Sequence, residues 1–168
     1  MTDDLTAWRG PFAGRPGHLD APYLATPPEV VEAMLDLAGL MPGERLVDLG
    51  CGDGRILVGA ARRGATALGV DLDPQRVAEA EEAVRAAGLV QRASVRQEDL
   101  FATSLADADV VTLYLLAHVN EWLQGKLLAE LRPGARIVSH NFPMRDWEPA
   151  ATRRLGDRTL HLWVVPDA

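Results

Sequence analysis

Two periods of hydrophobic residues alternate along the chain. Short apolar runs of strand length are separated by stretches in which Val, Ile, Leu, Met or Ala return every third or fourth position, with Gly or Pro near most boundaries. The first periodic stretch opens at Thr26-Pro27-Pro28-Glu29. There Thr26 and Glu29 have capping-box spacing and Pro27 takes the first helical position. The predicted helix runs to about Ala38 with Val30, Met34 and Leu37 on its buried stripe; Gly39 stops it and Pro42-Gly43 turns into a strand carrying Leu46, Val47 and Leu49. A second helix, Ile56 to Arg63, is closed by Gly64 and followed by a strand from Ala67 to Val70. Asp73 as N-cap and Pro74 at N1 start a third helix, whose inner stripe is Val77, Ala80, Ala83, Val84 and Ala87, ending at Gly88.

The third strand is Ala93 to Arg96. Asp109 to Leu116 is almost wholly apolar, as expected of a central parallel strand covered on both faces. A helix from about Val119 to Leu131 ends at Pro133-Gly134, and the fifth strand is Arg136 to His140. Asn141 to Pro149 is too short for a crossover helix. The last pair, Thr152 to Leu155 and Thr159 to Val165, reads as an antiparallel hairpin turned by Gly156-Asp157. This order predicts an α/β fold, a doubly wound and mostly parallel sheet with a C-terminal antiparallel hairpin. Its ligand crevice is expected beyond the carboxyl ends of the strands. Residues 23–168 form one domain, preceded by an irregular arm, 1–22, in which Trp8 and Phe12 are the large apolar groups.

The densest chemical signal lies between Arg45 and Asp73. An apolar strand runs into Asp48-Leu49-Gly50-Cys51-Gly52-Asp53-Gly54, whose alternate glycines let backbone N–H groups approach a ligand with no Cβ in the way. Asp71 ends the next strand about 20 positions beyond Gly50, where a ribose-binding acid falls in a nucleotide-binding βαβ unit. A dinucleotide fingerprint needs its third glycine where Arg55 stands. Two carboxylates flanking the turn suit a ligand with an ammonium group and a ribose diol better than a pyrophosphate. S-adenosylmethionine has both, and a sulfonium besides.

Val47-Asp48-Leu49-Gly50-Cys51-Gly52-Asp53-Gly54 resembles motif I of class I S-adenosylmethionine-dependent methyltransferases, and Gly69-Val70-Asp71 resembles their motif II. The resemblance implies a Rossmann-like methyltransferase sheet, S-adenosylmethionine as methyl donor, and donor contacts at Asp48, Gly50, Cys51, Gly52, Asp71 and Leu72. In such sheets an acid just after the third strand accepts from the adenine amino group and the next apolar residue packs on the ring. Asp99 and Leu100 hold those places, with a solvated loop acid as the alternative for Asp99. Tyr23 and Thr26 stand at the N-terminus of the first helix, within reach of the donor's methionyl carboxylate. Capping alone also explains Thr26, and packing explains Tyr23.

Composition narrows the partners. The 168 residues carry a formal charge of −7, which argues against a broad electrostatic grip on nucleic acid. Cys51 is the only cysteine, so no disulfide forms within the chain, and its place in the glycine turn suits a packing residue rather than a nucleophile. No metal-ligand cluster is apparent, and no metal is expected. No apolar run approaches the ~18 residues of a membrane span and no secretion signal is visible, so a cytoplasmic protein is expected. Oligomeric state is not specified by the sequence.

A narrower resemblance comes from the second half. Tyr23-Leu24-Ala25-Thr26-Pro27, the run Thr112-Leu113-Tyr114-Leu115-Leu116 with Val119-Asn120, Ile137-Val138-Ser139-His140-Asn141-Phe142 and Asp146-Trp147 are together similar to the small lysine N-methyltransferases of ATP synthase subunit c and the adenine nucleotide translocase, with their prokaryotic relatives. This resemblance spans about Tyr23 to Pro166 and implies that Tyr23 and Thr26 hold the donor. The chain departs from the pattern at Ala117, where Pro is usual, and in lacking the N-terminal membrane segment of the mitochondrial members. The resemblance therefore speaks more strongly for the donor than for the acceptor.

Tyr114 stands where this fold places acceptor-contacting groups, and it is expected to orient an amine for in-line displacement. His118, Asn120, His140 and Trp147 are candidates for the acceptor rim. Plainer readings stand beside them: Tyr114 and Trp147 as core aromatics, His140 as a hydrogen-bonded strand end, Asn120 as a helix cap. The expected function is methylation of a protein lysine. A small-molecule N- or O-methyltransferase and a non-catalytic donor-binding module are the alternatives. Nucleic acid ranks lower, because Tyr-Leu-Leu replaces the Asn-Pro-Pro type of motif used on flipped bases or amide nitrogens.

Overall fold

A computed structural model describes residues 25–167; the arm over 1–22 and Tyr23 lie outside the described residues. The elements, in order, are α1 (Pro28–Ala38), β1 (Arg45–Leu49), α2 (Arg55–Arg62), β2 (Thr66–Asp71), α3 (Pro74–Ala86), β3 (Ala93–Gln97), a 3₁₀ turn (Leu100–Ala102), β4 (Val110–Leu113), α4 (Ala117–Glu130), β5 (Arg136–His140), β6 (Ala151–Leu155) and β7 (Arg158–Val164). They form one seven-stranded sheet in the order β3-β2-β1-β4-β5-β7-β6. The first five strands pair in parallel, and β7 runs antiparallel to both β5 and β6. The expected doubly wound sheet with an antiparallel C-terminal hairpin is therefore the observed one.

Strand alternation divides the core between two faces. Leu46, Val110, Val138 and Leu160 pack with α1, α2 and α3, while their neighbours Val47, Val111 and Ile137 pack with α4 and the buried Trp163. Arg136 fastens the first layer to the sheet. Its Nε donates to the Ala38 carbonyl at 2.9 Å, at the free C-terminal end of α1, and its guanidinium pairs with Glu44 at 2.6 Å.

Three local expectations change. Thr26 does not cap α1: the helix starts at Pro28, Pro27 is the N-cap, and no side-chain cap bond is made. The two prolines fix φ and lack donors, so the helix needs no hydroxyl there. β4 ends at Leu113 rather than Leu116, because its neighbours' ladders end at the pairs Leu49–Leu113 and Leu113–Ser139. Tyr114, Leu115 and Leu116 lie past the edge of the sheet, and α4 then begins at Ala117, two residues earlier than the periodicity predicts. Ala117 is thus the first helical residue, a position that also accepts proline. Asp73 does cap α3, accepting from the Gln75 N–H at 2.9 Å. On that helix Ala80 and Val84 are the fully buried members of the predicted stripe.

Candidate active site

The strand order reverses between β1 and β4, and the glycine turn lies at the carboxyl end of β1, where open α/β sheets bind ligands. β1 carries Asp48 into the interior, 3% exposed, where the Thr112 hydroxyl on β4 donates to Asp48 Oδ1 at 2.9 Å. Burial pushes the Asp48 carboxyl up to about 7; the Thr112 bond opposes this, and the Asp71 and Asp53 charges add to it. The turn then folds back on β2, with the Gly50 and Cys51 N–H groups both donating to the Val70 carbonyl at 2.9 Å. Gly50 has φ of +82°, and a Cβ there would meet Leu115 Cδ2 at 3.0 Å. Cys51 is buried and its thiol is held well above the usual range by desolvation, consistent with a packing residue.

Asp71 closes the turn. Its Oδ2 accepts from the Gly52 N–H at 3.1 Å and its Oδ1 from the Asp73 N–H at 3.0 Å. Burial raises its carboxyl in spite of these two bonds. Each oxygen keeps a further lone pair, so the carboxylate can hold the loop and still accept from a diol. Gly50, Val70, Asp71, Leu72, Glu98, Leu100 and Leu115 together line a cleft of 140 Å³. Four predicted donor contacts, Gly50, Asp71, Leu72 and Leu100, are brought together there. Asp99 is engaged as the cap of the 3₁₀ turn, accepting from the Phe101 N–H at 2.9 Å. Its neighbour Glu98, which accepts from Thr103 Oγ1 at 2.6 Å, lines the cleft.

A second group of residues meets past the ends of β4 and β5. The Tyr114 ring stacks on His140 with centroids 3.9 Å apart and 28° between planes, and lies 6.4 Å from Phe142. His140 is fully buried, with Nδ1 at 3.4 Å from Thr26 Oγ1 and Nε2 at 2.9 Å from Arg158 Nη1. Desolvation, with the Arg158 charge beside it, lowers the imidazole pKa to about 4. Thr26 is itself buried, and its carbonyl accepts from Arg55 Nη1 at 2.9 Å. Arg55 also pairs with Asp53 of the glycine turn. Thr26 therefore stands between the turn and the aromatic stack.

Asn120 is placed inside α4 and fully buried, neither a cap nor an exposed rim residue. Its amide donates to the Phe142 carbonyl at 2.9 Å and lies 3.4 Å from Ser139 Oγ, while Oδ1 has no hydrogen-bond partner among the described residues. The loop it braces is tight. Asn141 has φ of +70° and exchanges two hydrogen bonds with Thr159, N–H to carbonyl at 2.7 Å and Oδ1 from N–H at 3.0 Å. Asparagine tolerates that backbone region better than most residues. The Trp147 carbonyl accepts from Trp163 Nε1 at 2.7 Å, and its half-buried ring packs on the α4-side core. His118 sits edge-on to Trp122 at 4.9 Å, one turn along α4. Among the described residues, His118 and Trp147 make their ring contacts with Trp122 and Trp163 rather than with the Tyr114 stack. Phe142 and Arg158 join this group without having been singled out as site candidates: Phe142 stands in the run that carries the narrower resemblance, and Arg158 is one of several arginines in the hairpin.

No group of three potential metal ligands and no helix long and apolar enough to cross a membrane occurs among the described residues. A family model described as the ANTKMT methyltransferase domain matches residues 48–151. A protein-lysine N-methyltransferase of Saccharolobus islandicus is 39% identical over 150 residues, 86% of this chain and 93% of that protein. The mouse adenine nucleotide translocase lysine N-methyltransferase is 38% identical over 154 residues, which are 91% of this chain and 66% of the mouse protein. Among solved structures, an RNA methyltransferase of Salinibacter ruber in complex with S-adenosyl-L-homocysteine superposes with a TM-score of 0.85 and 42% identity, over 86% of this chain and 95% of that one. With its glycine turn and aromatic stack both inside the matched span, the chain belongs to the ANTKMT methyltransferase-domain family.

Proposed function

We propose that the protein transfers a methyl group from S-adenosylmethionine to the side-chain amine of a protein lysine. The observation that carries this reading is the 39% identity to a protein-lysine N-methyltransferase across 93% of that protein's length. The local geometry fits the donor. Asp71 keeps lone pairs for a ribose diol, Leu100 and Leu115 give the same cleft apolar walls, and the Asp48 carboxyl lies beneath the turn where an ammonium group favours its charged form. Tyr23, Thr26, Gly50, Cys51, Gly52, Leu72 and Asp99 complete the donor set in this reading. The donor supplies an electrophilic methyl on sulfur.

The remaining chemistry belongs to the chain. A lysine ammonium must lose its proton before its nitrogen can attack, and an aromatic, poorly hydrated mouth lowers its pKa. Tyr114, backed by His140 and flanked by Phe142, forms such a mouth, and its hydroxyl orients the amine. The nitrogen lone pair then forms the new C–N bond as the sulfur–carbon bond breaks. The product is a methylated ammonium and a neutral thioether, and holding the two reactants in line is worth up to about 7–11 kcal/mol of the barrier. His118 and Trp147 form the outer rim in this reading, while Asn120 supports the mouth from below.

A second reading is favoured by one observation, the description of the Salinibacter relative as an RNA methyltransferase. The formal charge of −7 weighs against it. Methyl-labelled S-adenosylmethionine incubated with the protein and an extract of the source cells separates the two. Label in a protein band recovered as methyl-lysine after acid hydrolysis supports lysine transfer. Label in the nucleic-acid fraction alone supports the second reading and removes the first, and label in small molecules alone removes both.

A further inference from the structure

We propose that Arg158 is a positioning residue: by fixing which nitrogen of His140 carries the proton, it sets the direction of the Thr26 hydroxyl and so tunes donor binding. The inference rests on Thr26 as a donor contact in the function proposed above. Arg158 belongs to the C-terminal hairpin and matches neither motif, yet its Nη1 lies 2.9 Å from His140 Nε2. A guanidinium has only donors and keeps its charge at any physiological pH, so Nε2 must accept. A neutral imidazole that accepts at Nε2 carries its proton on Nδ1. The buried surroundings keep that ring neutral across the working range.

Nδ1–H then faces Thr26 Oγ1 at 3.4 Å, a long but buried contact. A hydroxyl that accepts on that side has its single proton left to give elsewhere. Thr26 has little other freedom. Its carbonyl is held by Arg55 and its backbone enters α1 at Pro27 and Pro28, so rotation of the O–H is what remains to be decided. The donor's methionyl carboxylate, expected at this helix N-terminus, needs a proton donor. With the opposite tautomer the Thr26 proton would turn to Nδ1 and the hydroxyl would present lone pairs to the anion. The same ring backs Tyr114 at 3.9 Å, so donor and acceptor halves share one imidazole. A purely structural Arg158 would tie β7 to the end of β5 and nothing more.

The test has two readouts. In protein labelled with ¹⁵N-histidine, with the His140 signals assigned by their loss in His140→Gln, long-range ¹H–¹⁵N correlation is expected to show Nδ1–H on His140. Protonation at Nε2 overturns the proposal without reference to any ligand. S-adenosylmethionine affinity, measured by calorimetry, is then compared in wild type, Thr26→Val, Arg158→Met, which has no donor, and the double variant. Each single change is expected to weaken binding about tenfold, the scale of one hydrogen bond to a charged group. The double variant is expected to be no weaker than Thr26→Val, and Arg158→Lys, which still donates, to recover most of the loss. Losses that multiply to about a hundredfold, or Arg158→Met that lowers stability and leaves affinity unchanged, return Arg158 to a structural role. Wild-type protein that binds no S-adenosylmethionine overturns the proposed function, and the donor half of this inference with it, whichever tautomer is seen.

Discussion

Thr112 Oγ1 lies 2.9 Å from Asp48 Oδ1 on the neighbouring strand, and beneath a glycine turn this pair makes stability depend on pH. In the folded chain the Asp48 carboxyl titrates at about 7, against 3.8 for an ordinary aspartate. Between those values the folded state holds a proton that the unfolded state has released. The Asp48 contribution to stability therefore falls as pH rises through the window, by a total of order 4 kcal/mol, and levels off above about 7. His140, lowered to about 4, contributes a slope of the opposite sign below about 6.5, so urea unfolding from pH 5 to 8 is read as the difference between wild type and Asp48→Asn, which is expected to fall as pH rises. Asp48→Asn stays neutral and can still accept from Thr112, so it lacks only the Asp48 contribution; parallel curves for the two proteins would remove Asp48 as a source of pH dependence.

The same carboxyl makes donor affinity depend on pH in the opposite sense. A bound ammonium group favours ionised Asp48, so below about 7 binding must expel a proton. Affinity for S-adenosylmethionine is expected to rise with pH up to about 7 and then flatten. Calorimetry at pH 6 in two buffers of different ionisation enthalpy should record proton release. Release that persists unchanged in Asp48→Asn would exclude Asp48 as its source.

Asp71 carries two duties that a single affinity measurement would merge. Its oxygens accept from the Gly52 and Asp73 N–H groups, at 3.1 and 3.0 Å, so Asp71→Ala removes both clamps of the turn as well as the ribose acceptor. A loss of stability of about 1–3 kcal/mol is expected in the absence of any ligand, with weaker donor binding in addition. Unchanged thermal stability would mean that the turn holds itself. Unchanged affinity would put the ribose contact elsewhere.

The residues that announce themselves in sequence are those whose chemistry is local. Gly50, Gly52, Asp71 and the Asp73-Pro74 cap were legible because turn and cap geometry depend on neighbours in the chain. The strands were legible because burial on both faces of a sheet leaves nearly continuous apolar runs. Where β4 ended was not legible, since Tyr114, Leu115 and Leu116 are as apolar as the strand before them and only the lengths of β1 and β5 decide. Thr26 looked like a cap because its nearest neighbours suit one; its partner His140 is 114 positions away. Arg158, Glu98 and the loop held by Asn141 are likewise products of tertiary contact, for which the chain carries no local mark.

Gly69 lies in the middle of β2, where a Cβ would meet Leu57 Cδ1 at 2.6 Å and Cys51 Cβ at 2.7 Å. That crowding joins the strand to α2 and to the glycine turn. Gly69→Ala should destabilise the protein by about 1–3 kcal/mol through overpacking, and the displaced Cys51 should weaken donor binding. Pairing it with Cys51→Ala, which removes only the thiol sulfur beyond Cβ, tests the route. Partial recovery of stability is expected from loss of the Sγ contact at 2.8 Å, and no recovery would place the strain at Leu57 Cδ1 and Cys51 Cβ.

Tyr114 offers a hydroxyl and a ring, and two substitutions separate them. Tyr114→Phe keeps the face that stacks on His140 at 3.9 Å, so the imidazole, Thr26 and donor affinity should stay as they are. Turnover of a lysine acceptor should fall about 10- to 100-fold, the value of one hydrogen bond to a charged or developing charge. Tyr114→Ala removes the ring as well, leaves one side of His140 without its cover, and should therefore weaken S-adenosylmethionine binding in addition to turnover. The two variants thus predict different patterns: an effect on kcat alone for phenylalanine, and on both kcat and donor affinity for alanine. Phenylalanine with full turnover would remove the hydroxyl from the acceptor site. Alanine with unchanged donor affinity would show that the stack does not reach Thr26, so that the mouth and the donor cleft are independent parts of the same sheet edge.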